Sequence, residues 1–182
     1  MFFAIKKLIS RKKIGFEMTQ MSSLKKIHRR VLVVDDDPTI LDILREYLKT
    51  IGLQSVCVGS GAEALEKFKK NHFDMVISDL MMEQMDGLAL LEEIKRIDYD
   101  VIFIIITGYP SVESVIDAMK KGAKDYLIKP FQFDEIKIKI ERALVEKAMS
   151  NQLKSNQGIM WSLIFSIPIW LILGIILAKL LK

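Results

Sequence analysis

Hydrophobic positions along the chain fall into two alternating kinds of stretch. Short unbroken apolar runs, Val31-Leu32-Val33-Val34, Met75-Val76-Ile77, Ile104-Ile105-Ile106 and Tyr126-Leu127-Ile128, are separated by segments whose apolar residues recur every three or four positions. A short unbroken run reads as a strand buried on both faces, as in a parallel sheet. The 3.6-residue rhythm reads as a helix with one face packed on that sheet. The clearest helix starts at Pro38, where Ile40, Leu41, Ile43, Leu44, Tyr47, Leu48 and Ile51 keep helical spacing until Gly52 stops it. Further helices are expected near Gly61–Lys70, Gly87–Arg96, Ser111–Lys121 and Gln132–Met149, with another strand over Gln54–Val58.

What ends each apolar run carries the chemistry. The first ends in Asp35-Asp36-Asp37, the second in Ser78-Asp79, the third in Thr107 and the fourth in Lys129. In a parallel sheet the C-terminal strand ends share one edge, where open α/β folds place their sites. Carboxylates, a hydroxyl and an ammonium therefore converge on one small volume, a set suited to a divalent cation and a phosphoryl group. An aspartyl carboxylate at a strand end can attack phosphorus and form an acyl phosphate, which makes Asp79 the candidate nucleophile. Crowding a phosphate among carboxylates requires a cation, and Mg²⁺ prefers such oxygen ligands. Asp37, directly before Pro38, reads as the N-terminal cap of the first helix.

Four pieces in this order resemble the receiver domains of two-component response regulators: Val33-Val34-Asp35-Asp36-Asp37-Pro38, Ser78-Asp79-Leu80-Met81-Met82 with Met85-Asp86-Gly87, Ile106-Thr107-Gly108-Tyr109, and Gly122 through Phe131. The resemblance spans about Arg30 to Ala148. It implies the flavodoxin-like, doubly wound five-stranded parallel sheet in strand order 2-1-3-4-5, which the five strand–helix pairs also fit. It further implies that Asp36 and Asp79 ligate Mg²⁺ with the backbone carbonyl of Met81, and that Asp35 helps directly or through water. Lys129 would pair with a phosphoryl oxygen and Thr107 would hydrogen-bond another. Thr107 and Tyr126 match the family's switch residues, the aromatic turning inward as the hydroxyl moves toward the phosphoryl group. Lys129-Pro130 matches a cis peptide that aims the lysine inward. The chain departs from the family at Glu83, where proline is frequent, which alters the loop after the nucleophile without removing a reacting group.

Two other classes compete. Asp35-x-Asp37-x-Thr39 resembles the opening motif of haloacid dehalogenase-type hydrolases, but the acid that such enzymes need after the lysine is missing, since Asp79 precedes both Thr107 and Lys129. A pseudo-receiver, a binding module that no longer accepts phosphate, usually lacks the acid pair, the nucleophile or the lysine. This chain has all of them.

Charge and hydropathy change the picture only at the two ends. Net charge is +4 over 182 residues, yet nine basic residues up to Arg30 against Glu17 give +8, leaving −4 for the rest. The basic balance belongs to residues 1–29, a basic extension, and gives no reason to expect a nucleic-acid binder. That extension reads either as a tail or, through Phe2, Phe3, Ile5, Leu8 and Ile9, as a membrane-surface helix. Cys57 is the only cysteine, so no disulfide framework exists and a buried structural thiol is expected. After a receiver domain over 30–149 and a polar linker over 150–157, residues 158–178 carry no formal charge. Twenty-one helical residues rise roughly 32 Å, about the thickness of a bilayer core, so a transmembrane helix is expected there. Gly158, Ser162, Ser166, Gly174 and Ala178 recur at four-residue spacing along it, interrupted only by Trp170, a pattern that lets two helices pair into a homodimer.

Together these readings describe a phosphorelay switch, not a turnover enzyme. A histidine kinase or phosphotransfer protein would phosphorylate Asp79. The surface of the fourth helix, fifth strand and fifth helix would then signal to a downstream protein. Kinase and Mg²⁺ chemistry place the domain on the cytoplasmic side of a bacterial inner membrane.

Overall fold

The computed structural model describes residues 29–152; the basic stretch at 1–28 and the uncharged run at 158–178 lie outside the described residues. The elements run β1 Arg30–Val34, α1 Pro38–Thr50, β2 Gln54–Val58, α2 Gly61–Lys70, β3 Met75–Asp79, α3 Gly87–Ile97, β4 Ile102–Thr107, α4 Val112–Lys120 and β5 Asp125–Ile128. A last helix, α5, covers 133–152. All five strands are parallel, as the run-and-rhythm pattern predicted, and they lie in the order β2-β1-β3-β4-β5, as the resemblance implied.

Each unbroken run becomes a strand because both of its faces are covered. Leu32, Val34, Val76, Phe103 and Ile105 join a buried cluster with Phe68 of α2, Leu90, Leu91 and Ile94 of α3 and Ala118 of α4. Val31, Val33, Ile77, Ile104 and Ile106, the alternate positions, are also buried, pointing to the opposite side of the pleat. Helix α1 lies against β1 and β2 and buries Leu44 and Leu48. Each such side chain contributes roughly 1.5–3 kcal/mol by leaving water.

Local sequence fixes where the helices begin and end. Asp37 caps α1 by accepting the Thr39 N–H at 2.8 Å, as its place before Pro38 predicted. Ser60, Asp86 and Ser111 do the same for α2, α3 and α4. Helix α1 stops at Gly52, whose φ of +82° suits only a residue without Cβ. The Gly52 N–H reaches the Lys49 carbonyl and the Leu53 N–H that of Leu48, which closes the helix end.

Three details extend or differ from expectation. Arg29, counted with the extension, accepts the Gln54 N–H on its carbonyl at 3.0 Å, directly before β1. Helix α5 continues past the expected Met149 through 152, the last described residue, and Ser150, Asn151 and Gln152 include no glycine or proline to stop it. Cys57 is half-buried rather than buried, since β2 is an edge strand; its thiol faces the Leu41 carbonyl at 3.7 Å. Among the described residues no helix is long and apolar enough to cross a membrane. The chain divides into two compact units, Met1–Ile136 and Lys137–Lys182.

Candidate functional site

The strand ends meet as the parallel order requires. Asp35 and Asp36 follow β1, and Asp79 closes β3, the neighbour of β1 in the sheet. One carboxylate oxygen from each of Asp35, Asp36 and Asp79 lies within 4.8 Å of the others; Asp35 and Asp79 are buried and Asp36 is exposed. From the other side Lys129, just past β5, extends its ammonium between two of them. Its Nζ lies 2.6 Å from Asp35 Oδ2 and 2.7 Å from Asp79 Oδ2. The Lys129–Pro130 peptide is cis.

The remaining lone pairs are partly engaged by backbone. Asp35 Oδ1 accepts the Asp37 N–H at 3.0 Å, and Asp79 Oδ1 accepts the Met81 N–H at 3.3 Å. Burial pushes the Asp35 carboxyl above its ordinary pKa, although the Lys129 and Asp37 hydrogen bonds pull the other way. Burial also opposes the charge on Lys129, but the two carboxylate hydrogen bonds outweigh it and hold the ammonium above the usual lysine range. Lys129 therefore stays charged at any physiological pH.

This donor set fits Mg²⁺ in charge and in kind. Three carboxylates against one ammonium leave a formal −2, and all the free donors are hard oxygens. One oxygen from each of the three carboxylates, all within 4.8 Å of one another, could contribute to holding a single divalent ion. Met81 is held at the site through its N–H, with its side chain 57% exposed at the rim.

Thr107 closes β4, is fully buried, and accepts the Lys129 N–H on its carbonyl at 2.7 Å, which ties the β4 and β5 ends together. Its hydroxyl accepts the Tyr109 N–H at 3.3 Å, a contact within its own loop. Tyr126 is not part of the cluster. It is buried in the core, and its hydroxyl lies 3.3 Å from Ser114 Oγ.

Two features of the site had no reading in the sequence. Gly87 begins α3 so close to the Asp79 backbone that a Cβ there would lie 2.2 Å from the Asp79 carbonyl oxygen. Only glycine fits, and no periodicity announces the close approach of two backbones. Ser114 forms a reciprocal capping box with Ser111 besides meeting Tyr126. The Ser-x-x-Ser spacing is a legible signal for the box, though not for the tyrosine contact.

Comparison with known proteins points the same way. Residues 31–141 match the family model described as the response regulator receiver domain. The transcriptional regulatory protein ZraR of Escherichia coli is 43% identical over 114 residues, which cover 63% of this chain and 26% of that protein. The chain thus aligns with about a quarter of that relative's length. The chemotaxis protein CheY of Bacillus subtilis is 37% identical over 116 residues, 63% of this chain and 97% of that protein. The response regulator TrrA of Thermotoga maritima, solved in complex with Mg²⁺-BeF, superposes with a TM-score of 0.59 at 36% identity, over 63% of this chain and 98% of that one.

Proposed function

This chain belongs to the response regulator receiver domain family, and from that premise we propose that it is a membrane-tethered phosphorelay switch whose phosphoacceptor is Asp79. The observation that carries this reading is the Lys129 ammonium held between Asp35 and Asp79 beside a third carboxylate. A phosphoryl group arriving at Asp79 finds a cation already in hydrogen-bonding reach of its oxygens.

The transfer is a displacement at phosphorus. An oxygen of Asp79 forms the new P–O bond, the bond to the donor breaks, and the donor leaves with that electron pair. A carboxylate attacks without losing a proton, so no general base is required. Asp35, Asp36, Asp79 and the Met81 carbonyl would hold Mg²⁺, which when bound offsets the repulsion between the carboxylates and the incoming phosphoryl oxygens. Lys129 then pairs with a phosphoryl oxygen, and Thr107 turns its hydroxyl from the Tyr109 N–H toward another.

A histidine kinase or phosphotransfer protein supplies the phosphoryl group. For output, α4 presents Val112, Ile116 and Met119, and edge strand β5 presents Ile128, all exposed and apolar. That face suits a downstream protein better than nucleic acid, which selects for basic surface. Residues 158–178 serve as the membrane anchor, with the receiver domain in the cytoplasm.

The test is to incubate full-length protein with acetyl phosphate, with and without EDTA, and to map the acyl-phosphate adduct. Labelling confined to Asp79, lost in Asp79→Asn and in EDTA, is the expected result. Full labelling of Asp79→Asn refutes the assignment, and an adduct on Asp35 would favour a dehalogenase-type reaction. Absence of any adduct would favour a phosphate-independent binding module. Resistance to carbonate extraction tests the anchor, and capture from solubilised membranes by wild type but not by Asp79→Asn identifies the partner.

A further inference from the structure

One polar side chain interrupts an apolar row in the core. Along β3 and just past it every second residue faces the same side of the sheet, and Val76, Ser78 and Leu80 form the row turned toward α2 and α3. Val76 and Leu80 belong to the buried cluster, as do Val34 and Ile105, the residues paired with Ser78 on the neighbouring strands. Ser78 is itself fully buried. An aliphatic side chain in that slot would add apolar burial, whereas a hydroxyl there loses its water and must find a partner. Its partner is the backbone of the proposed phosphoacceptor. Ser78 Oγ donates to the Asp79 carbonyl oxygen at 2.9 Å.

That bond holds one end of the peptide joining Asp79 to Leu80. The other end is held as well, because the Leu80 N–H bonds the Ile106 carbonyl at 3.0 Å. Gly87 crowds the same Asp79 oxygen, closely enough that a Cβ would stand 2.2 Å from it. A planar peptide fixed at its oxygen and at its N–H cannot swivel, so the direction in which the chain leaves toward Met81 is fixed too. The Met81 N–H in turn reaches Asp79 Oδ1 at 3.3 Å, while Lys129 Nζ lies 2.7 Å from Oδ2.

We infer that Ser78 is a positioning residue: its hydroxyl sets the Asp79–Leu80 peptide, and through it the aim of the Asp79 carboxylate and of the Met81 carbonyl toward a bound Mg²⁺. The inference rests on the phosphoacceptor reading and adds to it a residue that acts from the core and touches neither metal nor phosphoryl group. Without the hydroxyl the buried Asp79 carbonyl loses a donor, and the peptide turns to recover one. Any such turn carries Met81 with it, and with Met81 both a hydrogen bond to the carboxylate and a proposed metal ligand.

The test separates the hydroxyl from the space that it fills. Ser78→Ala deletes one oxygen, while Ser78→Thr and Ser78→Val have the same shape and differ in the hydroxyl. Mg²⁺ binding to the full-length protein in detergent is titrated by calorimetry, without any phosphoryl donor, and melts are recorded in EDTA. In Ser78→Ala the Mg²⁺ dissociation constant should rise about fivefold, below the roughly 10–100-fold typical when a group bonded directly to a ligand is lost. The maximal rate of Asp79 labelling by acetyl phosphate should fall, with the half-saturating acetyl phosphate concentration unchanged. Ser78→Thr should bind Mg²⁺ within twofold of wild type and Ser78→Val as weakly as Ser78→Ala. Wild-type Mg²⁺ affinity in Ser78→Ala overturns the inference, and so do equal shifts in Ser78→Thr and Ser78→Val, which would mark a packing effect. A melting temperature lowered in EDTA with Mg²⁺ affinity unchanged likewise leaves Ser78 a merely structural residue. Wild type that takes up neither Mg²⁺ nor phosphate sinks the phosphoacceptor reading and this inference together; wild type that does both, beside a Ser78→Ala that does both equally well, sinks this inference alone.

Discussion

Replacing Lys129 with methionine keeps most of the side-chain volume and removes the one charge that holds the acidic cluster together. The carboxylate oxygens of Asp35 and Asp79 lie within 4.8 Å of each other. At an effective dielectric of about 20, two unit charges at that distance repel by about 3.5 kcal/mol. Breaking a buried ion pair from one side costs about 3–5 kcal/mol in comparable cases, and the two figures agree. At roughly 4 °C per kcal/mol for a domain of this size, Lys129→Met should melt about 10–20 °C below wild type in EDTA. The deficit should also depend on pH. Burial already raises the pKa of Asp35, and the variant loses the Lys129 contributions that oppose the rise. A carboxyl whose folded pKa is raised destabilises the fold only when ionised. Its cost is absent below the unfolded value of about 3.9, grows as pH rises from there to the raised folded value, and is fully present above it. The deficit should therefore shrink as pH falls. Mg²⁺ should raise the melting temperature more in the variant than in wild type, because the ammonium no longer competes for the same oxygens. Circular-dichroism melts of residues 21–157 across pH, in EDTA and in Mg²⁺, check all three. A variant melting within a few degrees of wild type in EDTA at neutral pH, or a deficit independent of pH, refutes the electrostatic account.

Gly87→Ala should destabilise by about 1–3 kcal/mol and slow Asp79 labelling at least tenfold, because the added Cβ meets the Asp79 carbonyl oxygen at 2.2 Å; melts and labelling that both match wild type would count against it. Met81 and Tyr109, 57% and 80% exposed, are bulky and carry no group to orient a water for attack on the acyl phosphate. Met81→Asn with Tyr109→Glu should accelerate dephosphorylation several-fold, and unchanged or slower decay would remove the steric explanation. Gln84 sits at φ +65° between Glu83 and Met85, whose N–H reaches back to the Glu83 carbonyl at 2.7 Å. Gln84→Gly should relieve up to about 1 kcal/mol and raise the melting temperature; no rise would mean that the side chain recovers the backbone cost.

The sheet was legible because its signal is redundant. Every central strand is an unbroken apolar run and every helix keeps the 3.6 period, so the parallel direction follows from the alternation, while the strand order came from the family resemblance. The strand-end acids and Lys129 were legible for the same reason, since a parallel sheet leaves them nowhere else to go. The loop over 80–86 was not. Its shape rests on Gln84 at positive φ, on the Gly87 N–H bonding the Leu80 carbonyl at 2.9 Å, and on the absence of a Cβ at 87. None of these has a period, and glutamine is a poor marker of a left-handed turn. Glu83, noted in the sequence for replacing a frequent proline, is exposed and supplies the carbonyl of that tight turn. Its consequence in the fold is thus conformational as well as electrostatic. Cys57 misled because a strand pattern does not distinguish an edge strand from a central one.

On the proposed function, the geometry also constrains how a signal at Asp79 would reach α4. Thr107 and Tyr126 do not share a hydrogen bond: the threonine hydroxyl is held by the Tyr109 N–H, and the tyrosine hydroxyl meets Ser114. Each residue is thus latched to a different part of the segment joining β4 to α4, one to its start and one to the first turn of the helix. Ser114 is itself part of the capping box that satisfies the Ser111 and Ser114 N–H groups. A movement of Tyr126 therefore acts on the same hydroxyl that caps α4, and a movement of Thr107 toward a phosphoryl oxygen releases the Tyr109 N–H at the other end. Coupling between the two residues must pass through that short segment and through packing, because no direct polar link joins them. The exposed apolar residues Val112 and Ile116 lie in the first turns of α4, the part of the helix whose cap these two contacts control.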